Sequence, residues 1–172
     1  MRTQTVDSTL PIITRMLLHA DGSTTRLLEA LVGQRLSVEV LDQRTVASAT
    51  LSPAVRTALR CADDDPMIVR RSRLSAAGAP VSMNSVVITG SDAELTALLA
   101  QQRIPIGRSL AAAGRHLGRT VLATGRGAWP DDEHGEAVPC AYKESVLVDH
   151  TAAAVAYLHE RFNPAFAPVG PA

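Results

Sequence analysis

The stretch 67–88, MIVRRSRLSAAGAPVSMNSVVI, admits few folds. Two runs of alternating residues flank Ala76-Ala77-Gly78-Ala79-Pro80, so the segment reads as two strands joined by a tight turn. Gly78 supplies the positive φ that such a turn needs, and Pro80 opens the return strand. On the first strand Ile68, Arg70, Ser72 and Leu74 share one face, while Val69, Arg71 and Arg73 share the other. The second face is mostly charge and belongs in water. The first is apolar or small except for Arg70, which therefore points inward. A guanidinium stays charged at ordinary pH, and burying it unpaired costs several kcal/mol. Arg70 accordingly demands an anion, either a carboxylate of the protein or one carried by a ligand.

The flanking segments supply cover for this hairpin. Asp7-Ser8-Thr9 is a cap for a helix over 10–19, with Leu10, Ile13, Met16 and Leu17 as its apolar stripe. Ala20-Asp21-Gly22 breaks it, and Ser23 caps a second helix over 24–32 that Gly33 ends. Residues 35–46 alternate as a strand. Ser52-Pro53 starts a helix running to about Ala62, closed by Asp63-Asp64-Asp65-Pro66, a solvated loop rather than a calcium site. Ser91-Asp92-Ala93-Glu94 is a capping box opening a helix over 92–101. A connector over 103–107 leads to a helix over 108–117 and a strand over 119–126. Residues 125–135, with Trp129, Pro130 and an acidic patch, read as a loop and as the candidate moving cover of a site. A core strand follows over 137–148, then an alanine-rich helix over 150–162 and a loose proline-bearing tail over 163–172. Hairpins outnumber one-for-one helix–strand alternation. The expected class is α+β, an antiparallel sheet built from hairpins with helices packed on one face, as one domain over 1–172.

Composition removes several function classes. Basic and acidic side chains balance at 17 each, which offers no electrostatic footprint for nucleic acid, and only 3% aromatic residues leaves no base-stacking platform. No apolar run approaches the ~20 residues of a membrane span. The start, MRTQTVDSTLP, lacks a signal peptide's apolar centre, and Cys61 and Cys140 read as free thiols, so the expected compartment is the cytoplasm. The five histidines show no metal-ligand spacing, Gly125-Arg126-Gly127 lacks the third glycine of a dinucleotide site, and no serine sits in a nucleophile elbow.

On the strand over 137–148, Cys140, Tyr142, Glu144, Val146 and Val148 share a face that is apolar or amphipathic apart from Glu144. Glu144 is thus a second inward charge. Two arrangements satisfy the pattern: Arg70 and Glu144 pair with each other, or both line one pocket and meet a ligand.

Five segments in order resemble the chorismate pyruvate-lyase family over about Leu10 to Asp149. They are Asp21-Gly22-Ser23-Thr24-Thr25-Arg26, the strand Leu36-Ser37-Val38-Glu39-Val40, Arg70 ahead of Gly78-Ala79-Pro80, Pro105-Ile106-Gly107-Arg108, and Pro139 followed five residues later by Glu144. The resemblance implies that Arg70 grips a substrate carboxylate, that Glu144 faces the ring hydroxyl and is catalytic with Arg70, and that the Ile106 backbone contacts the ligand. Thr24 stands where the family usually has Met or Leu, and Trp129 to Gly135 replaces an arginine-bearing strand. The implied reaction is elimination of pyruvate from chorismate to give 4-hydroxybenzoate, with no cofactor and no metal, acting on a small molecule with no nucleic acid or membrane partner. Two rivals stand beside it. One is an enzyme of the same fold acting on a related aromatic acid. The other is a non-catalytic ligand-binding module like the sensing domains of GntR-type regulators, which normally follow a DNA-binding segment that the residues before Leu10 are too few to form.

Overall fold

A computed structural model describes residues 7–90, 92–130 and 138–170. The helices are α1 (Ile12–His19), α2 (Thr24–Val32), α3 (Pro53–Leu59), α4 (Ala93–Leu99) and α5 (Ile106–Ala112). The strands are β1 (Ser37–Ala47), β2 (Pro66–Ala76), β3 (Ala79–Thr89), β4 (Gly118–Trp129), β5 (Val138–Val148) and β6 (Ala154–Phe162). All six join one antiparallel sheet in the order β1-β2-β3-β6-β5-β4. The fold is the α+β class expected from the hairpins.

The β2–β3 hairpin closes through Ala77 and Gly78, at φ 47° and 86°, with Ala76 opposite Ala79. Both central residues are left-handed, the geometry that matches strand twist in a two-residue turn. Ala77 takes it without glycine's freedom, at a cost of roughly 1–2 kcal/mol.

Residues 154–162 are the largest departure from expectation. The alanine-rich segment is not a helix but β6, the strand between β3 and β5. A strand covered on both faces reads as a nearly continuous apolar run, so alternation is blurred. Alanine's helix preference is worth only tenths of a kcal/mol per residue, roughly, and two flanking ladders outweigh it. Asp149 accepts hydrogen bonds from the Thr151 and Ala153 amides and so builds the tight β5–β6 turn.

α1 and α2 bury Leu17 and Leu28 against Leu74, Ala141 and Phe162 on one sheet face. α4 and α5 bury Leu95, Leu99 and Leu110 on the same face, against Val86, Ile88 and Leu158. α3 packs Leu59 on the opposite face, against Met67, Val87 and Tyr157. The apolar stripe of α1 differs from expectation: Ile13 and Met16 are exposed, while Thr14, Leu17 and Leu18 turn inward. Asp92 caps α4 by accepting from the Leu95 amide, and Ser91 of the expected capping box lies outside the described residues. α5 begins at Ile106, so the expected connector is a helix start. β4 runs on to Trp129, which makes strand of residues 125–129; residues 131–135 of the expected loop lie outside the described residues. The tail packs rather than hanging free: Ala167 and Val169 are buried, and Thr14 Oγ1 donates to the Pro168 carbonyl.

Lys143, the chain's sole lysine, is fully buried on β5. Burial pulls its ammonium down to about 8, although Glu160 opposes the shift. A lysine with a lowered folded-state pKa sheds its proton first in the native state. Its charged form therefore weighs against folding below about pH 8, and that penalty is relieved as pH climbs toward the ordinary value of 10.5. The expected result is a wild-type unfolding free energy that gains, relative to Lys143→Met, on the order of 3 kcal/mol between pH 7.5 and 10.5. Urea titrations of the two proteins across that range check it; parallel pH profiles would show that Lys143 does not titrate there.

Candidate functional site

A cavity of about 260 Å³ lies between the sheet and the starts of α2 and α5. It falls just below the roughly 300–1,000 Å³ usual for drug-sized ligands, a size suited to one ring with small substituents. Four elements set its walls. β2 contributes Arg70, β6 contributes Glu160, the Ser23-capped start of α2 contributes Thr24, and the Pro105-led start of α5 contributes Ile106.

The two helix starts converge because Gly107 has no side chain. A Cβ there would sit 2.6 Å from Ser23 Oγ and 3.3 Å from Thr25 Oγ1. The Arg108 guanidinium pairs with Glu29 on α2, which locks the two helices together and leaves Arg108 out of the cavity lining.

Arg70 points inward as the strand pattern predicts, and it is 1% exposed. Its Nη1 donates to the carbonyls of Leu99 (3.2 Å) and Gln101, the unsatisfied C-terminal end of α4. Its Nε is buried without a partner. No carboxylate among the described residues pairs with it. Burial pulls its pKa below the ordinary value, with no charge among the described residues acting against that. A cation has been carried out of water and placed at the wall of a mostly apolar cavity.

Glu144 is not in this cavity. It sits on the other face of β5, opposite His159 in register and hydrogen-bonded to Tyr157. The Tyr157 phenol is pushed far above its ordinary value by burial first and by Glu144 second. The inward acid is instead Glu160, 6% exposed. Its Oε2 accepts from Arg119 Nη1 at 2.8 Å and from Thr24 Oγ1 at 3.2 Å. Arg119 Nη1 also donates to Ser145 Oγ at 2.9 Å. Both donors converge on one carboxylate oxygen, Oε2.

Arg70 and Glu160 do not touch. Arg70 lies opposite Val86, Val86 opposite Leu158, and Glu160 is two residues further along β6. Two strand spacings sideways and two residues lengthwise put their Cα atoms roughly 12 Å apart on one face. The arrangement is a cation and an acid at opposite sides of a small cavity, with Thr24 and Ile106 between the helix starts above them. Of the expected site residues, Arg70, Thr24 and Ile106 come together and Glu144 does not. Glu160 was missed because its segment read as a helix. Read as a strand, 154–162 alternates Leu158, Glu160, Phe162 on one face, and the argument that singled out Arg70 would have found it.

No curated protein matches the sequence. Among solved structures the chain is similar to PhnF from Mycobacterium smegmatis, with 12% identity, a TM-score of 0.67 and coverage of 87% of this chain and 67% of that one. It is also similar to the possible transcriptional regulator YydK from Bacillus subtilis, with 14% identity, a TM-score of 0.59 and 80% of this chain covered. The match spans only 61% of YydK. The C-terminal domain of the histidine utilization repressor from Pseudomonas syringae matches at 12% identity and a TM-score of 0.58, covering 80% of this chain and 98% of that domain. At such identities the likeness is one of fold. The sequence model described as "Chorismate pyruvate-lyase Rv2949c-like" matches residues 18–168, a span that holds Thr24, Arg70, Ile106 and Glu160. The chain therefore belongs to the chorismate pyruvate-lyase Rv2949c-like family.

Proposed function

We propose that this protein is a chorismate pyruvate-lyase that releases pyruvate and 4-hydroxybenzoate without a cofactor. The observation that carries the reading is Arg70, a buried guanidinium at a cavity with no carboxylate partner among the described residues. A ring carboxylate would supply the missing anion, in a charge-assisted bond of the kind a guanidinium makes best. Glu160 takes the role that the family resemblance implies for Glu144: Oε1 accepts from the ring hydroxyl while Arg119 and Thr24 hold Oε2 still. Amides at the start of α5, around Ile106, face the same ligand.

The chemistry asks little more of the protein. The ring carbon bearing the hydroxyl loses its proton, the ether C–O bond breaks, and the enolpyruvate takes up a proton as pyruvate. The ring becomes aromatic, which drives the reaction. Holding the ring, neutralising a carboxylate and moving one proton is the work of Arg70, Glu160 and a water-excluding cavity. The compartment we propose is the cytoplasm. No helix among the described residues is long and apolar enough to cross a membrane.

A second reading, a binding module without chemistry, is favoured by the regulator domains among the similar solved structures. Incubating the protein with chorismate and following pyruvate and ultraviolet absorbance separates the two. The lyase gives stoichiometric pyruvate and 4-hydroxybenzoate over many turnovers. Saturable binding with no pyruvate would replace the lyase with the binding module.

A further inference from the structure

We infer that Lys143 is a positioning residue, whose buried ammonium fastens the end of α1 to the sheet and thereby fixes the Asp21-to-Thr25 wall of the cavity. Its Nζ donates to the carbonyls of Leu17 (3.0 Å) and Ala20 (3.3 Å). These belong to the last turn and cap of α1, where carbonyls lack intrahelical partners and the helix dipole favours a cation. The chain leaves this anchor directly into the cavity wall, since residues 21–26 all line it. α1 brings no acidic residue and no capping side chain of its own to its start; its other end is held to the sheet by the lysine.

The lysine is also a strand neighbour of the site acid. Lys143 lies opposite Glu160 in the β5–β6 register, on the same face. Thr24, four residues beyond the Ala20 carbonyl, donates to that glutamate from above. The anchor and the acid are thus two ends of one short circuit: Lys143 holds Ala20, the turn carries Thr24, Thr24 steadies Glu160, and Glu160 sits beside Lys143 across the strands. The charged groups acting on Lys143 are Glu160 from β6, Arg119 from β4 and Asp21 from the turn. The two acids favour the ammonium and Arg119 opposes it. Nothing in the proposed reaction uses Lys143, and it does not line the cavity. Its full burial excludes a surface role. The ligand consequence rests on the lyase reading, whereas the anchoring itself does not.

Amide hydrogen exchange on the full chain tests the anchor without any ligand. In Lys143→Met, amides of residues 17–25 should exchange at least tenfold faster, while amides of residues 86–88 and 156–158 in the sheet centre keep wild-type protection. Lys143→Arg, which keeps a cation for the same carbonyls, should restore protection over 17–25. Lys143→Gln, with a shorter neutral donor, stands in if the methionine variant does not fold. In parallel, 4-hydroxybenzoate should bind Lys143→Met about tenfold more weakly. Unchanged exchange over 17–25, or faster exchange spread evenly over the sheet, would overturn the inference. Failure of the wild type to bind 4-hydroxybenzoate sinks the lyase reading but leaves the exchange result to decide the anchor.

Discussion

Arg70→Met should lose binding of 4-hydroxybenzoate by two orders of magnitude or more while remaining folded. Removing one partner of a buried, hydrogen-bonded charge pair costs roughly 2–5 kcal/mol of binding, which is about 30- to 5,000-fold in Kd. The upper half of that range is expected here, because the described residues hold no second carboxylate-free cation of comparable burial at the cavity: Arg119 is already committed to Glu160. The effect on stability should be small. Methionine abandons the Leu99 and Gln101 carbonyls at the end of α4, which costs stability. It also removes a buried charge with no carboxylate partner, which returns some. Arg70→Lys should fall between, since a point charge replaces a planar fork. Calorimetric titration with 4-hydroxybenzoate, paired with thermal melts with and without ligand, reads both quantities. A wild-type melting point that rises with ligand and a variant melting point that does not is the expected pattern. An unchanged Kd in Arg70→Met would mean that Arg70 only caps α4.

The contrast between Arg70 and Glu144 shows what strand parity can and cannot deliver. Arg70 was legible because its strand is bracketed by an unmistakable turn, and one face carries Arg71 and Arg73 as a marker of solvent. β5 offered no such marker. Its two faces are both largely covered, so its one acid, Glu144, reads as inward although its face packs beside Tyr157 rather than on the cavity. The face that does carry the site shows Lys143, Ser145 and Leu147, and a lone buried lysine gives no pattern to read. β6 was hidden for a different reason. Its neighbours in the sheet, β3 and β5, are far from or adjacent to it in sequence in ways that only the folded order reveals, and local propensity pointed to a helix. Thr24 and Ile106 were placed by resemblance, and the geometry gives each a physical reason: both stand at helix starts brought together by the missing side chain of Gly107.

Glu160→Gln should slow pyruvate release from chorismate by 10²- to 10⁴-fold, the usual range for removing a positioned proton-transfer group. Glu144→Gln should leave it within about twofold, because Glu144 lies on the sheet face away from the cavity and an amide keeps an acceptor for Tyr157. The pair of substitutions is the decisive one, since both remove one carboxylate from neighbouring central strands and differ in which sheet face they alter. In Glu160→Gln the amide oxygen can still accept from Arg119, so the fold should hold; what is lost is a group able to take a proton from the ring or its hydroxyl. Product affinity should then fall less than turnover, as expected for an interaction that strengthens in the transition state. A Glu160→Gln variant with full turnover would move the proton-handling group elsewhere in the cavity. Loss of turnover in Glu144→Gln with the fold intact would instead require the reaction to take place on the Tyr157 face, where Glu144, Tyr157 and His159 lie together.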